Sequence, residues 1–70
     1  MNRWFEVWLD DSGDPPYVLL VEGRAEDIRV LDPKEGYRVV YTASSYDDAK
    51  MWLLEDEYVQ VRGRVEVDDG

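Results

Sequence analysis

Seventy residues with a formal net charge of −9, from 17 acidic against 8 basic side chains, hold one small core and repel nucleic-acid phosphates and anionic membranes at long range. The absence of Cys and His removes disulfides, thiolate metal sites and a histidine-held zinc centre, together with the commonest nucleophilic and acid–base groups. A hydrophobic content of 44% with 13% aromatics is too high for a disordered acidic tail, so the chain is expected to fold as one domain over 1–70.

From Met1 to Asp11 the sequence alternates and carries charge, without the apolar run of a signal peptide. No stretch approaches the roughly 18 apolar residues of a membrane span. A cytoplasmic chain with no membrane anchor is the expectation. Asn2 to Asp10 has the period of a strand, with Phe5, Val7 and Leu9 on one face and Trp4, Glu6 and Trp8 on the other. Asp10 to Pro16 stacks turn formers and ends in a double proline, through which no sheet ladder passes. Tyr17 to Glu22 is apolar on both faces, as a central strand is.

Asp27 to Asp32 follows as a third strand, and Asp32-Pro33-Lys34-Glu35-Gly36 forms a turn into a fourth, Tyr37 to Thr42. Ser45-Tyr46-Asp47-Asp48 resembles a capping box and opens the only predicted helix, from Tyr46 to Glu57. Tyr46, Ala49, Trp52 and Leu53 make its core stripe, which Met51 and Leu54 widen. Tyr58 to Val67 is the fifth strand. Its valines and Gly63 are expected inward, and Gly63 marks either a bulge or room for Trp52. Asp68 to Gly70 reads as a frayed tail. The fold class is therefore α+β, a mainly antiparallel five-stranded sheet in the order ββββαβ with one helix packed on one face. The favoured spatial order is 5-1-2-3-4, and a right-handed crossover pairing strand four with strand five is the alternative.

The chain does not read as an enzyme, and no cofactor or metal is implied. Ser12 lies in a turn, while Ser44 and Ser45 start a helix, where capping accounts for them. Asp10, Ser12 and Asp14 match the first positions of a calcium loop, but Pro15 stands where glycine is needed and Val21 where a bidentate glutamate is needed. Paired carboxylates can divide acid and base roles, yet so short a chain offers little cleft to hold them.

Two features could carry binding. With strand one buried through Phe5, Val7 and Leu9, the opposite sheet face would gather Trp4, Trp8, Arg29, Arg38, Arg62 and Arg64, the residue types that anchor interfaces and stack on bases. Cross-strand pairing of the arginines with Glu6 or Glu66 is the structural explanation of the same residues. The second feature is the acidic patch Glu55, Asp56 and Glu57 at the helix end, where the macrodipole disfavours negative charge. The leading functional reading is a small acidic interaction or accessory module that binds another protein or a second copy of itself. The competing class is a nucleic-acid-directed protein, either a single-strand binder through the Trp/Arg face or an acidic DNA mimic.

Overall fold

A computed structural model describes residues 2–68, with the side chains of all but Asn2, Arg62 and Asp68. Five strands, β1 (Asn2–Asp10), β2 (Tyr17–Gly23), β3 (Ile28–Asp32), β4 (Arg38–Ala43) and β5 (Val59–Asp68), form one sheet, and α1 (Tyr46–Glu55) joins β4 to β5. The order across the sheet is β4-β3-β2-β1-β5, the favoured order above, and all four pairings are antiparallel. The alternative pairing of β4 with β5 does not form.

Local chemistry explains the element ends. The Asp32 side chain accepts from the Lys34 N–H, and Pro33 opens a short 3-10 turn that closes on Gly36 at φ 70°. At the start of α1 the Ser45 side chain accepts from the Asp48 N–H at 3.2 Å. The Asp48 carboxylate does not complete a capping box; it accepts from the Tyr41 hydroxyl at 3.0 Å, tying the helix start to β4. The helix ends two residues before the expected Glu57 because Glu57 takes a left-handed φ of 65°. Glu57 N–H bonds to the Leu54 carbonyl and Tyr58 N–H to the Leu53 carbonyl, which is a Schellman closure with buried Leu53 and Tyr58 as its apolar pair.

The core lies between α1 and one face of the sheet, built from Leu19 and Val21 on β2, Ile28 and Val30 on β3, Ala43 on β4, and Ala49 and Leu53 on the helix. The helix packs on β3 and β4. A helix is about 10 Å across, whereas five strands at about 4.8 Å spacing span about 20 Å, so one helix leaves the β1 and β5 side of that face uncovered. Large side chains fill the gap. Trp8 is 2% exposed, and Trp4 is partly buried against the same cluster.

That packing corrects the expected assignment of faces. Trp4, Glu6 and Trp8 turn toward the helix side, and Phe5, Val7 and Leu9 occupy the reverse of the sheet. Two further expectations change with it. Met51 and Leu54 are 64% and 49% exposed on the outer side of α1, leaving Ala49 and Leu53 as its buried stripe. Val59 and Val65 on β5 stand opposite Leu9 and Phe5 and so are exposed on the reverse face, and Val61 is exposed where the β1–β5 register shifts between Val7 and Trp8. The irregularity expected near Gly63 is present in that register. No atom lies within 4 Å of the place a Gly63 Cβ would take, so Trp52 does not claim that space; it stacks on Tyr41 instead, with ring centroids 4.7 Å apart and planes 8° from parallel. Asp68 belongs to β5, and the rest of the expected tail lies outside the described residues.

Candidate interaction surface

On the helix side, β1 and β5 bring Trp4, Glu6, Trp8 and Arg64 together beneath Tyr46 at the start of α1. The buried Glu6 carboxylate accepts from Trp8 Nε1 at 3.1 Å, from the Tyr46 hydroxyl at 2.9 Å and from Arg64 Nε at 3.3 Å. Arg64 lies over the Trp4 ring at 3.7 Å, and Trp4 meets Tyr46 edge to face at 5.6 Å. Burial, followed by the hydrogen bond to Glu6, raises the Tyr46 hydroxyl above its ordinary pKa. Glu6 thus ties β1 to β5 through Arg64 and to the helix start through Tyr46. The expected open Trp/Arg platform is thereby corrected: Trp8 is enclosed, and Trp4 and Arg64 cover one another.

The remaining arginines do not join them. Arg29 projects from the opposite face and pairs with Asp27 at 3.5 Å. Arg38 is exposed on edge strand β4, opposite Asp32 in register. Arg62 stands opposite Val7 in the β1–β5 register, and its side chain lies outside the described residues. Glu55, Asp56 and Glu57 do lie together, exposed, at the C-terminal turn of α1, where the backbone N–H groups of Asp56 and Glu57 close the helix. At the far end of the sheet Tyr17 donates to Asp32, and that bond pushes the Tyr17 pKa up to about 12. Nearby, an open pocket of about 360 Å³ is lined by Pro15, Pro16, Tyr17, Val18, Pro33 and Lys34.

Gly23 is a positioning residue that sequence reasoning missed. It sits opposite Trp4 in the β1–β2 register, and a Cβ there would fall 1.8 Å from Trp4 Cε2. Only the absence of a side chain lets the indole lie flat across β2. The available signal was a glycine ending a buried strand in register with a tryptophan.

The reverse face of the sheet carries the unpartnered surface. Val39, Leu31, Leu20 and Val7 face one another in register, an apolar rung across four strands. A second rung joins Val18, Leu9 and Val59. Phe5 and Val65 begin a third, which continues into Glu22 and Arg29. Among the described side chains of this face charge lies at that end, where Arg3 also binds Glu22 at 3.0 Å, and Arg62 stands at the β5 end of the first rung by register. No element among the described residues covers these rungs: Val18, Val39, Val59 and Val65 are between 40% and 52% exposed. Among the described residues no cluster of carboxylates suited to a metal ion occurs, and no helix is long and apolar enough to cross a membrane. No protein family, curated protein or solved structure matches the chain.

Proposed function

We propose that this chain is a non-enzymatic interaction module that binds a protein partner or another copy of itself through the reverse face of its sheet. The observation that carries the reading is the rung Val39, Leu31, Leu20 and Val7, which no element among the described residues covers and which leaves Val39 exposed and the other three half-buried. Contiguous apolar patches of this kind mark interaction surfaces, whereas single exposed valines do not. A composition without His or Cys supports the non-enzymatic part, and the cysteine-free sequence supports a reducing, cytoplasmic setting. The single-strand-binding alternative loses its support with the platform, because Trp8 is inside and Arg64 is spent on Glu6 and Trp4.

The test replaces the centre of the rung by lysine, Leu20→Lys with Leu31→Lys, and compares this variant with the wild type. Binding is read both as self-association of the purified protein and as retention of other proteins from an extract of the native host. The reading expects at least one of these to occur in the wild type and to be lost in a variant with an unchanged far-ultraviolet spectrum. A wild type that remains monomeric and retains nothing beyond what the variant retains would exclude it.

A further inference from the structure

We infer that the occupant of the reverse face is a second copy of this chain, packed sheet against sheet so that two protomers complete a β-sandwich. The inference rests on the interaction reading above and names its partner. Its first support is the kind of residue on the face. Transient interfaces are anchored by Trp, Tyr and Arg, whereas a permanent interface resembles a domain core cut in half. Here Trp4 and Trp8 point the other way, and the rungs that run through Val7 and Leu9 on β1 are made of Val and Leu, the filling of a sandwich interior.

Area gives the second support. Five strands at about 4.8 Å spacing and about six residues at about 3.3 Å rise give a footprint of roughly 450 Å² per copy. Two copies therefore bury on the order of 1,000 Å² before any contribution from the rim or from side-chain relief, which reaches the threshold for a specific interface. The contact is isologous, so the one patch supplies both sides.

Charge placement is the third. Each copy carries −9, and like-charged partners repel. Among the described side chains of this face, however, charge is limited to one end and is of both signs, with Arg3 paired to Glu22 and Arg29 to Asp27, and the register adds only the basic Arg62 opposite Val7. Acids of the α1 end, Glu55 and Glu57, lie beyond the opposite side of the sheet, away from the contact. Small size adds a motive. A core of nine buried apolar residues among those described, in a chain without cysteine, is the setting in which small domains use oligomerisation for stability.

The experiment is sedimentation of the full chain over a range from about 1 to about 100 µM, which reads dissociation constants up to the micromolar range. The expected result is a species of twice the 8.2 kDa chain mass, and a Tm that rises with protein concentration. Val18→Arg and Val65→Arg each place a charge at a position already exposed in the single copy, so the protomer fold is not asked to bury it. Both variants are expected to weaken self-association at least tenfold while keeping the near-ultraviolet signal of enclosed Trp8. Because the Tm dependence is measured on the wild type, the inference stays testable even where a variant misfolds. A monomer throughout the range with a concentration-independent Tm overturns the second copy, and so does a dimer that both variants leave intact. In the first of these cases, a different protein retained by the wild type and lost by Val65→Arg preserves the interaction reading, whereas no retained protein removes both.

Discussion

Removing the Glu6 carboxylate tests the account of why β1 turns its tryptophans toward the helix. Glu6→Ala takes an acceptor from three donors at once, and they differ in what they can do without it. Trp8 Nε1 is enclosed and has nowhere to turn, so its unsatisfied N–H costs about 1–3 kcal/mol. The half-buried Tyr46 hydroxyl can rotate toward water, at about 1 kcal/mol. The Arg64 side chain is 39% exposed and keeps its ring contact, so screening leaves its share of the ion pair at about 0–1 kcal/mol. Together these give a loss of about 2–5 kcal/mol, overlapping the range of about 3–5 kcal/mol typical when one member of a buried pair is deleted. Against a stability of about 3.5–10 kcal/mol expected for seventy residues, that is a large fraction of the total. With a urea slope of about 1 kcal/mol per molar, the midpoint falls by about 2 M or more. Glu6→Gln keeps one acceptor oxygen but turns an amide toward Arg64, and should cost about 1–2 kcal/mol. Glu66→Ala on the exposed part of β5 is the control and should stay within about 0.5 kcal/mol. Urea titrations at one fixed protein concentration measure all three. A Glu6→Ala protein within about 1 kcal/mol of wild type would refute the assigned role of the carboxylate.

Three more outcomes follow from the same packing. Gly23→Ala drives a methyl into the Trp4 ring, which Arg64 and Tyr46 hold from other sides, and should destabilise by about 1–3 kcal/mol with a changed near-ultraviolet spectrum, as read by urea titration and circular dichroism. Glu57→Gly relieves a left-handed non-glycine residue at the helix end and removes an acid from the negative pole of α1, so it should raise the melting midpoint in a thermal scan, by about 1 kcal/mol of stability. Tyr17 ionises near pH 12 in the folded chain, above the ordinary value of 10, so the stability it adds is complete below pH 10 and disappears as pH rises through 12. Absorbance titration of wild type against Tyr17→Phe should show one late-ionising phenol lost.

Element types were legible in the sequence because each has a local cause. The alternation of Asn2 to Asp10, the prolines after Asp14 and the Ser45 cap act within a few residues, and the strands, turn and helix start form where they indicate. Strand order followed from chain direction, because a helix after β4 returns β5 in the direction that pairs antiparallel with β1. The face of β1 was not legible, since both of its faces are apolar and periodicity ranks neither. The deciding quantity is the width of sheet that a ten-residue helix fails to cover, and it exists only once β5 has joined β1. Two tryptophans are large enough to close that gap, and a glutamate among them is tolerated because Tyr46 and Arg64 arrive from 40 and 58 positions away in the chain.

The same geometry explains why the candidate surface moved from one side of the sheet to the other. Tryptophan and arginine suggest contact with a partner when they are exposed, and in this chain the one helix is too narrow to let them remain so. Turning Trp4 and Trp8 inward obliges Phe5, Val7 and Leu9 to face outward, because successive residues of a strand point to opposite faces. β2 is apolar on both faces, so Val18 and Leu20 extend that outward surface while Leu19 and Val21 complete the core. A central strand with two apolar faces requires cover on both, and α1 supplies it on one. Polar substitutions along Val18 and Leu20 should therefore be as easily tolerated as on any wet strand if the chain works alone, and selectively harmful to assembly if its second layer is another copy.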